Sequence, residues 1–417
     1  MISTDLTTND PEKQKQSESG GLTMDATGAE NHCTILVIEP SPIEKDMLWT
    51  GTDDGRVHIT TDGGQNWIEV TKNIKGLPSG SWIPQIKASN KNKGEALLIA
   101  NDYRRFNYTP YAYRTKNYGK TWERIVDEKD VASYTLSIIE DTENPNLLFL
   151  GTDDGLYVSF NAGEDWQKWT AGFPTVSTKD LAIQPREQDL VIGTFGRAAW
   201  IMDDLRPLRA LAGNPNLLNK DFELFAPPIG YLAAYQQPTG SRFGADALYQ
   251  GENKKSGAMI TYYIKEGAPK DRKEAKEPDA VKEADEDNIE APTNEGLVAG
   301  KEVTPKASKD SLFLKVFDGE RLIRTLSIKK PEKAGFHRMF WSMDEKGAEI
   351  PSRTISKNNR ERGGKSVMAG NYLLVLTDGI TESKQQITVA VDPRLGESKA
   401  AMKEVYQSET YLESLMQ

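Results

Sequence analysis

Cysteine is almost absent: Cys33 stands alone in 417 residues. No internal disulfide can form, and cysteine usage gives no compartment. Histidine is scarce as well. His32, His58 and His337 are isolated in sequence, and no Cys/His spacing matches a zinc site. No Gly-rich phosphate loop opens a helix, so neither a metal nor a cofactor is expected. No run of about 18 apolar residues exists, which excludes a hydrophobic spanning helix. The first residues carry no apolar stretch behind a basic start, so no signal peptide is expected in them. Basic charge is in deficit: Lys and Arg total 52 against 62 Asp and Glu, a net charge of −10. That balance argues against nucleic acid or an anionic membrane surface as partner.

What is abundant is one phrase. Gly51-Thr52-Asp53-Asp54-Gly55 is followed by Thr60-Thr61-Asp62-Gly63-Gly64-Gln65-Asn66-Trp67. Gly151-Thr152-Asp153-Asp154-Gly155 is followed by Ser159-Phe160-Asn161-Ala162-Gly163-Glu164-Asp165-Trp166. Between them lies a related turn, Thr115-Lys116-Asn117-Tyr118-Gly119-Lys120-Thr121-Trp122. Each phrase sits among short apolar strands bounded by Gly, Pro, Asn and Asp, the pattern of successive hairpins. Asp-Asp-Gly suits a tight hairpin because Gly and Asp tolerate positive φ. In the polar turn, Asp62, Asn117 or Asn161 can accept backbone N–H bonds, Gly64, Gly119 or Gly163 relieves strain, and the Trp is expected to be buried beneath its own loop. Trp67 to Trp122 is 55 residues, Trp122 to Trp166 is 44, and Gly151 to Gly193 is 42. Four-stranded units of that length are propeller blades.

These turns, with Thr60, Thr115 and Ser159 at their first positions, resemble the Asp-box or BNR repeat. The wider pattern resembles sortilin-like, BNR-repeat proteins of bacteria, often labelled glycosyl hydrolases. Phe195-Gly196-Arg197-Ala198-Ala199-Trp200-Ile201-Met202-Asp203-Asp204-Leu205-Arg206-Pro207-Leu208 resembles the closing segment of their propeller. The resemblance implies more blades than the four that fit between Cys33 and Leu205. We therefore expect the chain to be the C-terminal portion of a larger protein, with missing N-terminal repeats as possible partners. It also implies a parent that is periplasmic, outer-membrane-associated or secreted.

The organisation expected is all-β. Residues 1–32 form a polar connector, 33–205 hold about four blades of a partial propeller, and 206–258 form a second connector. Residues 259–394 form an Ig-like β-sandwich interrupted by a disordered, charge-rich insertion at 267–310, whose composition cannot bury enough apolar surface to order itself. The sandwich resembles the Ig-like module of flagellar hook-capping proteins, on Ala334-Gly335-Phe336-His337-Arg338, Ala369-Gly370-Asn371-Tyr372 and Asp392-Pro393-Arg394. A helix, truncated at its end, is expected over 395–417 from the spacing of Met402, Val405, Tyr406, Leu412 and Leu415.

No catalytic residue stands out. Asp53 and Asp153 are weak candidates, because paired carboxylates are glycosidase machinery. Adjacent residues on a tight turn point different ways, though, and the pair recurs in two blades, as a structural hairpin requires. The insertion around Asp102, Tyr103, Arg104, Arg105, Tyr108 and Tyr111 accounts for the 55-residue spacing. A loop dense in Tyr and Arg suits recognition of a sugar or peptide. Arg197 is a further candidate at the same end of the propeller. The leading expectation is a non-catalytic propeller that binds polysaccharide or peptide. The alternative is a fragment of a glycoside hydrolase, xyloglucanase-like or sialidase-like, with catalytic blades elsewhere.

Overall fold

The computed structural model describes residues 2–12, 14, 32–233, 254–265, 311–348, 361–394 and 399–416. They form two units, Met1–Asn216 and Leu217–Gln417. The expected insertion at 267–310 lies outside the described residues.

The first unit is a partial β-propeller. Blade 1 is an antiparallel sheet of β1 (Ile35–Pro40), β2 (Leu48–Thr52), β3 (Val57–Thr60) and β4 (Ile68–Glu69). Blade 2 holds β5 (Trp82–Ala88), β6 (Ala96–Asp102), β7 (Asn107–Thr115) and β8 (Glu123–Arg124). Blade 3 holds β9 (Thr135–Glu140), β10 (Leu148–Thr152), β11 (Gly155–Ser159) and β12 (Gln167–Lys168). Blade 4 has only β13 (Thr178–Gln184), β14 (Asp189–Thr194) and β15 (Ala199–Met202). Neighbouring blades touch through their first strands, β1 to β5, β5 to β9 and β9 to β13.

Alternation along each strand gives every blade two apolar faces. Trp49 and Ile59 of blade 1 pack with Ile86, Leu98 and Tyr113 of blade 2. The opposite face of blade 2, with Leu97, Ile99 and Ala112, packs with Ile138, Leu150 and Tyr157 of blade 3. Phe149 and Val158, on blade 3's other face, pack with Leu181, Leu190 and Ile192 of blade 4. Four sheets thus enclose three cores, and the arc is open among the described residues. The outermost faces are wet: Ile38 on blade 1 is 57% exposed and Ile201 on blade 4 is 62% exposed.

The repeated turns share one geometry. The first hydroxyl accepts the glycine N–H: Gly64 N to Thr60 Oγ1 at 3.0 Å, Gly119 N to Thr115 Oγ1 at 3.0 Å, Gly163 N to Ser159 Oγ at 2.9 Å. The third residue accepts the N–H four positions on: Asn66 N to Asp62 Oδ1 at 2.9 Å, Thr121 N to Asn117 Oδ1 at 2.9 Å, Asp165 N to Asn161 Oδ1 at 3.0 Å. Asn therefore replaces Asp without loss of the bond. The tryptophans depart from expectation. Trp122 packs edge-on against Trp49 of blade 1, and Trp166 Nε1 donates to Ile125 O of blade 2 at 2.7 Å. They fill the seam with the preceding blade rather than the space under their own loop. Trp67 is only half-buried.

The stretch read as a connector contains structure. Helix α1 (Arg206–Gly213) sends Leu208 and Ala212 into the last core, and Arg209 Nε holds Asp141 Oδ1 at 2.7 Å. Pro207 at the first turn costs no hydrogen bond there, which is why a Pro-bearing phrase can still start a helix.

The second unit is a β-sandwich. One sheet orders β16 (Phe222–Leu224), β18 (Ala258–Ile264) and β21 (Gly335–Trp341). The other orders β17 (Gly230–Leu232), β25 (Glu382–Val391), β24 (Gly370–Thr377), β19 (Ser311–Asp318) and β20 (Arg321–Lys329). A short hairpin joins β22 (Asp344–Lys346) to β23 (Gly363–Ser366). Both sheets line one core, with Trp341 and Leu374 fully buried. Helix α2 (Lys399–Met416) is tethered by Tyr406 OH to Glu345 Oε1 at 2.6 Å and Lys365 Nζ to Glu413 Oε2 at 2.8 Å.

Candidate functional site

The strand alternation places the hairpins joining second and third strands at one end of the arc, beside the starts of the first strands. Residues 53–54, 102–106, 153–154 and 195–197 therefore share that end, with Thr34, Trp82 and Tyr134. The polar tryptophan turns lie at the other.

The insertion in blade 2 is a short helical turn, Tyr103–Arg105, closed by Phe106 in the left-handed region at φ 62°. Its own polar groups brace it. Arg105 Nε donates to Asp102 Oδ1 at 2.5 Å, and Asn107 Nδ2 reaches Asp102 Oδ2 at 3.2 Å and the Tyr111 hydroxyl at 3.1 Å. Asp102 and Tyr111 are 7% and 5% exposed, so both face inward and shape the loop. The outward residues are layered over the buried ring of Tyr134. Tyr103 stacks on Tyr134 of blade 3 with centroids 4.5 Å apart, and Tyr108 lies 6.1 Å from the same ring. The Arg104 guanidinium sits 3.4 Å from the Trp82 ring centroid and 4.5 Å from that of Tyr103. Such contacts hold the cation in place against the ring faces. Phe106 is 84% and Tyr108 55% exposed.

Tyr134 was not singled out from sequence, because it opens an ordinary apolar strand. Burial raises its hydroxyl's pKa, and the charge of Asp153, which accepts its hydrogen bond, raises it further. Asp153 itself is exposed at the rim of this surface. Its counterpart Asp53 is buried and committed: it accepts Thr34 N and Thr34 Oγ1, both at 2.8 Å. Asp54 accepts Thr8 N at 2.6 Å and the Thr52 hydroxyl. Burial pushes Asp54 up, but those bonds outweigh it and hold the carboxyl low. Arg197 is exposed on the blade 4 hairpin, its carbonyl accepting Trp200 Nε1 at 3.0 Å. It is not among the groups around Arg104.

A second charged group, also without a sequence signal, bridges blades 2 and 3 at the opposite end. Arg114 pairs with Glu95 at 3.5 Å and Glu140 at 3.3 Å, and donates to Ala162 O at 3.2 Å. Burial pushes Glu140 up to about 7 in spite of Arg114. Glu95 and Glu140 line a cavity of about 160 Å³ with Lys87 and Leu97. Among the described residues no His, Cys, Asp and Glu cluster could hold a metal ion.

A family model described as "Sortilin, neurotensin receptor 3" matches residues 110–204, from the third strand of blade 2 through blade 4. No curated protein matches. Among solved structures, the GH74 xyloglucanase from Xanthomonas campestris is 15% identical over 40% of this chain and 29% of its own, at a TM-score of 0.32. YCF48 from Cyanidioschyzon merolae is 17% identical over 41% of this chain and 56% of its own, at a TM-score of 0.28. An ancestral GH74 enzyme is 13% identical over 56% of this chain and 31% of its own, at a TM-score of 0.31. The chain thus spans less than a third of the xyloglucanase and little more than half of YCF48. The blade architecture stands on its own sheets and cores.

Proposed function

We propose that the propeller arc recognises a polysaccharide at its loop end without converting it, in a protein of the bacterial cell envelope or outside the cell. One observation carries this reading: Tyr103 and Tyr108 are layered over the buried ring of Tyr134, with Arg104 held on Trp82 and Phe106 and Tyr108 projecting. Planar rings offer apolar area to the C–H face of a sugar, while the exposed Asp153 carboxylate offers an acceptor to its hydroxyls. The matching family's description names a receptor, which agrees with recognition rather than turnover. An extended peptide is the other ligand this surface would admit. We read the second unit as the Ig-like module of flagellar hook-capping type. No helix among the described residues is long and apolar enough to cross a membrane.

A glycoside-hydrolase fragment is the second reading. It draws on Glu140, a carboxylate held near neutrality beside a cavity, as a general acid would be. Arg114 engages both Glu140 and Glu95 and ties them to the blade 3 turn, as a structural clamp does.

The test is electrophoresis of the chain through gels containing xyloglucan, mannan, mixed-linkage glucan or peptidoglycan fragments. Retardation by one polysaccharide, lost on Phe106→Ala with Tyr108→Ala, is the expected result. Retardation by none, with binding to an extended-peptide array that the same substitutions abolish, transfers the site to peptides. Release of reducing sugar, abolished by Glu140→Gln, establishes the hydrolase reading instead.

A further inference from the structure

The four hairpins at the loop end share one register. Thr52, Asn101, Thr152 and Thr194 each pair with the start of their own blade's first strand, at Ile35, Trp82, Thr135 and Thr178 in turn. The residue that follows is Asp53, Asp102, Asp153 and Phe195. Three blades put a carboxylate there, and blade 4 puts an aromatic ring. The backbone is the same in spite of this. Phe195 N donates to Ser177 O at 2.8 Å, the bond that Asp53 N makes to Thr34 O and Asp153 N to Tyr134 O. Thr194 N donates to Ala198 O at 3.1 Å and Trp200 Nε1 to Arg197 O at 3.0 Å, which closes the hairpin. The turn is thus held by its backbone and by Trp200, and the Phe195 ring projects from it, 74% exposed.

A single exposed apolar residue calls for no explanation. Phe195 belongs to a set. Among the described residues of the first unit, the aromatic side chains more than half exposed are Phe106, Tyr108 and Phe195, and all three stand at the loop end. Phe106 and Tyr108 belong to blade 2 and Phe195 to blade 4, with the exposed Asp153 on the blade between. Stacked sheets lie about 10 Å apart, so these two aromatic stations are about 20 Å apart along the arc. One sugar ring cannot touch both. Each station also has a cation at a ring. Arg104 lies against Tyr103 in blade 2, and Lys179 Nζ lies 5.7 Å from the Phe195 centroid in blade 4, with Arg197 exposed two positions on.

We propose that the blade 4 hairpin is a second platform for the same ligand, and that this ligand is a linear polysaccharide bound along its length across blades 2 to 4, not by its end. The inference rests on the reading of the blade 2 surface as a polysaccharide site. Phe195 offers its ring to the C–H face of a sugar further along the chain, and the exposed Lys179 and Arg197 offer donors to that sugar's hydroxyls. Asp153 accepts from the stretch between. Two platforms on one chain act through effective concentration, so affinity rises with ligand length until both are filled.

The test compares the full chain with Phe195→Ala in gels containing xyloglucan, mannan or mixed-linkage glucan. The polysaccharide that retards the chain is then cut into disaccharides, trisaccharides and long fragments, and each is used to displace it. In the wild-type chain the long fragments should displace far better than the short ones. Phe195→Ala should weaken binding of the polymer and of long fragments about tenfold or more and leave the short fragments unchanged, so that length no longer matters. Phe106→Ala with Tyr108→Ala should weaken short and long alike. Circular dichroism matching wild type shows that each variant is folded. Polymer binding that Phe195→Ala leaves unchanged overturns the second platform alone, and the blade 2 reading stands. Equal weakening of short and long fragments by Phe195→Ala also overturns it, by making Phe195 part of a single compact site. A wild-type chain that no polysaccharide retards overturns both, and extended peptides bound through Phe195 would make a peptide the occupant instead.

Discussion

Replacing Trp166 with Ala removes a residue that belongs to a seam rather than to a loop. A buried Trp takes on the order of 200 Å² out of water. At about 25 cal/mol per Å² that is at most about 5 kcal/mol. The truncation also strands the carbonyl of Ile125, which accepts the indole N–H at 2.7 Å, for about 1 kcal/mol more. Partial collapse of the site returns some of this, so we expect a loss of about 4 kcal/mol, within the usual span for such truncations. Trp67 occupies the same repeat position but is half-buried, its indole N–H donating to Ile2 O at 3.0 Å. Its truncation should cost about 2 kcal/mol or less. Urea unfolding followed by near-UV circular dichroism gives both values, provided the slopes with denaturant match wild type. If Trp67→Ala costs as much as Trp166→Ala, the seam account of these tryptophans is wrong.

Glu140 sets a pH dependence. Its folded pKa, about 7, exceeds the ordinary carboxylate value, so the folded chain keeps a proton that the unfolded chain releases. Stability should therefore fall as pH rises from about 4.5 to about 7, by on the order of 3 kcal/mol. Glu140→Gln should flatten that slope in urea titrations, and an unaltered slope would rule out Glu140 as its source. Glu345 has the opposite sign. Burial raises it, but hydrogen bonds from Arg321 and Tyr406 prevail and hold it low. The stability it gives is present at neutral pH and lost as pH falls through the carboxylate range. Acid should then free α2 for cleavage by pepsin ahead of the sandwich, and Tyr406→Phe should move that release to higher pH. Simultaneous cleavage of both would count against the tether. Phe106→Ala and Tyr108→Ala should change stability by no more than about 0.5 kcal/mol, since both rings are exposed. They should nevertheless weaken ligand binding about tenfold, worth about 1.4 kcal/mol; unaltered binding would place the site elsewhere.

The blades were legible because their signal is local and repeated. Period-2 strands, Asp-Asp-Gly hairpins and hydroxyl-to-glycine turns each specify geometry within a few residues. What escaped was contact between repeats. Gly51 reads as part of a hairpin, yet its missing Cβ is required by Ile83 of the next blade, 2.5 Å from where it would sit. Gly151 answers likewise to Thr178 O, 2.6 Å away, while Gly193 meets only its own blade. Helix α1 was read as linker because its eight residues are too few for periodicity to show. At the candidate site, Tyr103, Arg104 and Tyr108 stand out from the loop's composition. Tyr134 does not, because the stacking that makes it important comes from a residue 31 positions earlier.

Asp53 and Asp153 show why a repeated motif is poor evidence for chemistry. They share a pentapeptide, a hairpin and a place at the loop end. Asp53 is consumed by both the N–H and the hydroxyl of Thr34 at the start of its own first strand. In blade 3 the strand start offers Tyr134 instead, whose ring is already stacked on Tyr103, and Asp153 stays at the surface with one hydroxyl to hold. The backbone N–H of each bonds to that same starting residue, Asp53 N to Thr34 O at 3.1 Å and Asp153 N to Tyr134 O at 3.3 Å. What repeats is therefore the backbone latch that joins hairpin to first strand. The carboxylate is free to differ, and only where a neighbouring blade contributes an aromatic loop does it become part of a surface that a ligand could meet. On the reading proposed above, recognition falls to the insertion that breaks the repeat, the residues between Asp102 and Tyr111.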